Sequence, residues 1–229
     1  MLSADEWRVV ALSLQVAFWG VAGSLPLGVA VAYVLARYEF PGKTLFDAFV
    51  HLPLVLPPVV VGFALLVLFG RNGPIGSFLA PLGIVFAFKW TGAALAAAIM
   101  GFPLLVRALR LAFESIDPRL ERAARTLGAS PLRVFFTVTL PLAWPGLVTG
   151  AILAFARALG EFGATITFVS NIPGETQTLP LAIYTYTQAP GYDDQVLRLS
   201  LLAVALSIAA LALSEWLVRR SGGKEAAHA

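Results

Sequence analysis

Residues 9–36 form a run of 28 without one charged side chain, and four more such runs follow. Residues 48–70 and 134–156 are 23 long, residues 90–106 are 17 long and residues 199–214 are 16 long. A helix needs about 20 mainly apolar residues to cross the hydrocarbon core of a bilayer. Five spans are therefore expected, the last extended by Trp216, Leu217 and Val218 where Glu215 faces protein or the interface. The composition agrees: 59% of residues are hydrophobic and 13% charged, against about 45–50% and 25% in soluble domains. The surplus apolar surface faces lipid, which makes the chain an all-α polytopic membrane protein. Residues 1–229 are expected to form a single transmembrane domain.

The first run is too long for the apolar core of a signal peptide, and Asp5, Glu6 and Arg8 precede it where a basic segment would stand. With no cysteine in the chain, disulfides and thiolate chemistry are excluded. Two further uncharged regions are not read as spans. Residues 72–88 hold several Gly and Pro and read as an external loop or partial helix, and residues 162–174 end in the turn signal Asn171-Ile-Pro-Gly.

Basic residues fix the orientation. Residues 1–8, 71–89 and 157–198 carry 1, 2 and 2 Lys or Arg, a total of 5. Residues 37–47, 107–133 and 219–229 carry 2, 6 and 3, a total of 11. The richer set belongs in the cytoplasm, so the N-terminus is expected outside and the C-terminus inside. The net charge of +3 thus reflects orientation, and nucleic acid is not an expected partner.

The spans are poor in ionisable groups, which argues against a proton relay or an embedded enzyme. No catalytic residue, metal ligand or cofactor is assigned. His51 is read as an interfacial side chain with no carboxylate or serine partner for catalysis. Phe40-Pro41-Gly42-Lys43-Thr44 imitates the end of a phosphate-binding loop, but Arg37 stands where the first glycine is required and no strand precedes it. Energy from ATP would have to enter through a partner.

Three stretches carry the functional reading. The second span, HLPLVLPPVVVG, holds Pro53, Pro57 and Pro58 and is expected to be a bent helix, either for packing or because it lines a pathway. Gly146, Gly150, Ala154 and Ala158 recur every four residues on the fourth span and let a helix approach closely, for packing within the subunit in preference to a dimer seam. After that span, Arg157 and Glu161 stand four apart and can pair. Gly160 and Gly163 loosen the backbone around Phe162 and Thr165. Pro57, Pro58, Gly160, Glu161, Phe162, Gly163 and Thr165 are the candidate gate residues, within an external loop and gate region over 160–195.

The third stretch, LERAARTLGASPLRVFFTVTLP, lies in a cytoplasmic segment over 117–141. Asp117-Pro118 is a helix start, Gly128 supplies a helix stop, and Ser130-Pro131 repeats the start signal. Leu120, Ala123, Ala124 and Leu127 fall on one face, with the arginines on or beside the other and Glu121 able to pair with Arg125. An alanine-floored apolar face at the end of a cytoplasmic loop fits a partner's groove.

Glu121-x-Ala123-Ala124-x-x-x-Gly128, followed after nine residues by Val138-x-Leu140-Pro141, resembles the EAA motif of binding-protein-dependent ABC importer permeases; Arg122 departs from that pattern. FPGK (40–43), HLPLVLPPVVVG (51–62), FPLLVRA (102–108) and ARALGEFGATITFVSNIPGETQTLP (156–180) are similar to molybdate ABC permeases. Tungstate and sulfate permeases share the GEFGA-type stretch.

The resemblance implies the type I importer permease fold and a homodimer in the bacterial inner membrane. It also implies a dimer of ABC ATPase subunits on the cytoplasmic side and an external oxyanion-binding protein. Leu120, Glu121, Ala123, Ala124, Leu127 and Gly128 would dock the ATPase. A regulatory domain after the last span is not expected. A channel or secondary carrier, the rival class, would need no ATPase.

Overall fold

A computed structural model of the chain describes residues 3–222, all of whose regular structure is helical. Helix α1 (Ala4–Arg37) opens with a capping box in which Ser3 Oγ accepts from the Glu6 amide and the Glu6 carboxylate accepts from the Ser3 amide. At about 1.5 Å per residue it is roughly 50 Å long, more than a bilayer core requires.

The second expected span is broken, not merely bent. Helices α2 (Lys43–Val55) and α3 (Pro58–Phe69) meet at 110°. Leu56 and Pro57 each precede a proline, which disfavours the helical region, and both take extended backbone with ψ 142° and 131°. Pro58 then starts α3, where its missing N–H costs nothing. The predicted loop over 72–88 contains a short helix, α4 (Pro74–Leu79), and a 3₁₀ turn.

Helix α5 (Trp90–Ser115) is the central span: 61% of its apolar window is buried, against 22% for α1. Helix α6 (Pro118–Thr126) and α7 (Pro131–Val134) follow, then a π-wound turn, Phe135–Thr139, and α8 (Leu140–Leu142). The segment from α7 to α8 meets α9 (Trp144–Leu159) at 68°. Pro141 and Pro145 on either side of Ala143 remove backbone donors there, so the fourth span is also broken where a continuous one was expected.

Helices α10 (Gly163–Val169), α11 (Leu179–Thr187) and α12 (Asp193–Gly222) complete the chain. Three helices are long and apolar enough to cross a membrane singly, and the two bent pairs bring the number to five when each is counted as one span. The expected basic tail reaches Lys224, which lies outside the described residues.

Small residues let the central helices approach. A methyl on Gly150 would lie 3.1 Å from the Ala108 side chain, and one on Gly101 would lie 3.2 Å from the Ala154 carbonyl oxygen. Gly146 faces Ala112 in the same way. The stripe on α9 therefore packs against α5 of its own chain, as its spacing predicts. At the start of α1, buried Glu6 takes Arg198 of α12 at 2.9 Å, and Ser13 Oγ accepts the Leu179 amide of α11 at 2.6 Å. These two contacts lock the three helices together at the end of the bundle opposite α6.

Candidate functional site

The structure groups the candidate residues into two places. At one end of the bundle, Asp117 caps α6, its carboxylate accepting the Arg119 amide at 2.8 Å, and Gly128 leaves the helix with φ +85°. Leu120, Ala123 and Leu127 are exposed, Leu127 by 89%, and Ala124 is half-buried beside them. Leu132 and Phe136, both exposed, extend the apolar surface past the glycine turn. A groove of about 770 Å³ between α5 and α9 opens beside it, with Arg107, Asp117, Leu120, Leu142 and Gly146 in its walls.

Glu121 corrects the sequence reading. It is the buried residue of α6, and its partner is Arg37, not Arg125. Glu121 Oε1 accepts from Arg37 Nη2 at 3.0 Å and from Thr139 Oγ1 at 2.9 Å. The same guanidinium nitrogen donates to the Ile116 carbonyl oxygen at 3.4 Å, at the turn between α5 and α6. The helix thus leaves both its arginines and its apolar residues exposed and turns only its carboxylate inward. Both hydrogen-bond donors to this carboxylate escaped sequence reasoning; the available signal was an arginine terminating a 28-residue uncharged run.

The second place lies where two broken helices begin. A methyl on Gly163 would sit 2.8 Å from Pro58 Cβ, and one on Gly62 would sit 2.5 Å from the Ala164 carbonyl oxygen. Here α10 packs directly on α3, which brings half-buried Pro58 and Gly163 together in one zone, with buried Thr165 two residues further along α10. Glu161, 3% exposed, pairs with Arg157 at 2.6 Å as its spacing predicts, and its other oxygen accepts the Ala164 amide at 2.8 Å. The carboxylate therefore satisfies one of the free amides at the start of α10. Phe162 packs on Tyr184 of α11 with ring centroids 5.2 Å apart, a partner the sequence did not suggest. Pro57 and Gly160 are exposed at the edges of the zone.

His51 corrects the sequence reading: it does have a carboxylate beside it, Asp47 one helical turn earlier at 3.2 Å, and Arg110 joins Asp47 at 3.0 Å and Glu114 at 2.7 Å, a network tying α2 to α5. Among the described residues no group of three His, Cys, Asp or Glu could hold a metal ion.

Residues 24–222 match the family of binding-protein-dependent transport system inner membrane components. The chain belongs to this family. It is 59% identical over 222 residues to the molybdenum transport system permease protein ModB of Escherichia coli K12, covering 96% of this chain and 97% of that one. The Haemophilus influenzae ModB is 57% identical, with 94% of each chain covered. The Salmonella typhimurium sulfate transport system permease protein CysT is 39% identical, over 82% of this chain and 72% of its own.

The fold is shared with solved ABC importers. A permease chain of the bacterial alginate importer superposes with a TM-score of 0.74 at 15% identity, over 96% of this chain and 80% of that one. A chain of the MetNI methionine transporter in an inward-facing conformation gives 0.66 at 21% identity, over 94% and 93%. The chain is thus a multi-pass permease of the bacterial inner membrane, with the type I importer fold.

Proposed function

We propose that this chain is the membrane-spanning subunit of an ATP-driven molybdate importer, working as a homodimer with two ABC ATPase subunits and an external oxyanion-binding protein. Its relatives at 57–59% identity are molybdenum permeases, and the sulfate relative stands at 39%. The observation that carries the mechanism is the exposure on α6 of apolar Leu120, Ala123 and Leu127, alongside exposed Arg119, Arg122 and Arg125, while Glu121 is buried. An apolar helix face of this kind at a loop tip is matched to a groove in a partner.

The orientation from basic residues puts α6 in the cytoplasm, where ATPase subunits dock. Leu120, Ala123, Ala124, Leu127 and Gly128 form the docking face, and ATP is bound and hydrolysed by the partner. Closure of the ATPase pair moves α6, and the pathway between permease copies changes which side it opens to. Pro57, Pro58, Gly160, Glu161, Phe162, Gly163 and Thr165 form the closing constriction: two broken helices that pack glycine against proline can separate as units without unwinding.

The test is uptake by the assembled transporter in vesicles. ATP-dependent molybdate uptake is expected, with tungstate competing and sulfate competing weakly. Uptake by the isolated chain without ATP would indicate a channel or carrier, and sulfate uptake unaffected by molybdate would reassign the substrate.

A further inference from the structure

Neither the docking face nor the closing constriction uses the arginine of FPLLVRA (102–108). Helices α1, α5 and α9 hold Arg8, Arg37, Arg107, Arg110 and Arg157. Arg8 takes Asp5, Arg37 takes Glu121, Arg110 takes Asp47 and Glu114, and Arg157 takes Glu161. Arg107 is exposed, and among the described residues its side chain has neither an ion pair nor a hydrogen bond.

That lone charge does not stand at the membrane surface. Helix α5 has 26 residues, and at about 1.5 Å per residue it is roughly 39 Å long. Centred on a hydrocarbon core of about 30 Å, it leaves roughly 5 Å outside at each end. Arg107 stands roughly 12 Å before Ser115, at the end of α5 that the basic residues place in the cytoplasm. Its backbone therefore lies roughly 7 Å inside the hydrocarbon. An uncompensated arginine is costly at such depth, and ionisable groups found there face cavities and mark the routes of ions.

Arg107 does line a cavity, the groove of about 770 Å³ between α5 and α9, which runs from Leu104 down to Leu120. Leu104, Leu111 and Leu153 make much of its wall apolar. Two hydroxyls also line it, but each is engaged within its own helix. Ser115 Oγ donates to the Ala112 carbonyl oxygen and Thr149 Oγ1 to that of Pro145, both at 2.8 Å. Asp117, the carboxylate of the groove, stands beyond the end of α5 and caps α6. The guanidinium is thus the free cation of a groove that leads from membrane depth towards the cytoplasm.

We propose that Arg107 is a substrate contact on the release side, holding the transported tetrahedral oxyanion in the groove between α5 and α9 after it has passed the constriction. This rests on the reading of the chain as an oxyanion importer and adds a binding residue to it. A guanidinium is always charged and presents paired donors that match two oxygens of an oxyanion. One cation between apolar walls holds the anion weakly, as a route must if its cargo is to leave. A lipid phosphate shares this chemistry but stays outside the hydrocarbon. Arg110, nearly one turn closer to that level, is already engaged by Asp47 and Glu114, so the free charge lies deeper than a headgroup.

The experiment uses permease, ATPase and external binding protein assembled in vesicles, with molybdate as substrate. Wild-type uptake is measured first, and its absence would sink the importer reading itself. With that uptake established, Arg107→Gln should lower it by about tenfold, the worth of a charge-assisted hydrogen bond, while the ATPase copurifies as with wild type. Arg107→Lys keeps the charge without the fork and should lose about threefold. Unchanged uptake in Arg107→Gln, or a loss that follows lost ATPase, would overturn the inference and leave the importer reading standing.

A second measurement reads the groove directly. Leu111, one helical turn from Arg107, is exposed in the groove wall, and the chain has no cysteine of its own. Leu111→Cys in the nucleotide-free transporter is treated from the cytoplasmic side with a water-soluble thiol reagent that carries a sulfonate. The reagent should label it, and excess molybdate should slow labelling by about threefold or more. Arg107→Gln in the same chain should abolish that protection. Absent protection is contrary, and so is protection that survives Arg107→Gln. Labelling by a lipid-soluble maleimide alone would mean that lipid fills the groove, which also overturns the inference. Should Arg107→Gln fail to insert, protection of Leu111→Cys with Arg107 in place, present or absent, decides.

Discussion

Two buried glutamates, each paired with an arginine, mark the two candidate sites, and they do different work. Glu161 and Arg157 are one helical turn apart, and their pair closes a local break by capping α10. Glu121 and Arg37 are 84 residues apart, and their pair joins elements that nothing local would hold together. The first makes a discontinuous backbone stable at membrane depth, where an unsatisfied amide would cost several kcal/mol. The second anchors an element whose outer surface stays free. At Gly163, two residues past Glu161, a methyl group has no room, whereas α6 has open apolar surface on its outer side. On the proposed reading, the first site separates and closes as rigid pieces and the second receives a partner and passes its movement on.

This contrast can be broken most severely on the open face. Ala124→Arg should cut ATPase copurification and ATP-driven molybdate uptake by about a hundredfold, as loss of an interface hot spot does, while the permease still inserts. Equal uptake would remove the difference between the two sites.

The tight site should respond in stability instead. Gly163→Ala places a methyl against Pro58 and should lower the unfolding free energy by about 1–3 kcal/mol, read as a fall in Tm in detergent. Ser13→Ala leaves the Leu179 amide without its acceptor. It should cost about 1–2 kcal/mol with no specific effect on ATPase copurification. Gly160→Ala, three residues from Gly163, meets nothing closer than 3.9 Å and should change Tm by the equivalent of under about 0.5 kcal/mol. Comparable losses at Gly160 and Gly163 would mean that the packing on Pro58 does not set the second site apart.

Much of the architecture was legible because the signals were local. Uncharged runs located the spans, Asp117-Pro118 and Gly128 bounded α6, and the four-residue stripe of small residues found its partner on α5. The Arg157–Glu161 pair followed from helical spacing alone. The sequence signalled a bend at Pro57-Pro58, but its size depends on two successive residues being forced out of the helical region. The break at Ala143 went unread because Pro141 and Pro145 fall inside one uncharged run, 134–156, that is long enough to cross a bilayer. Glu121 was misjudged for a related reason: Arg125 offers a partner at the favoured spacing, and only tertiary packing brings Arg37 closer. Long-range pairs such as Phe162 with Tyr184 are likewise set by where whole helices dock, which one-dimensional spacing does not record.

The central claim is that α6 meets the ATPase through its outward apolar face while the Gly163 zone stays closed to it. The cysteine-free chain allows a direct measurement. Single Ala124→Cys, Leu127→Cys and Gly163→Cys variants of the assembled transporter are treated with a membrane-impermeant thiol reagent from the cytoplasmic side, with and without the ATPase subunits. The account predicts that the ATPase slows labelling of the Ala124→Cys and Leu127→Cys variants by about tenfold or more, as expected for burial in an interface, and that Gly163→Cys labels slowly in both cases. Equal labelling of Ala124→Cys and Leu127→Cys with and without the ATPase would contradict it.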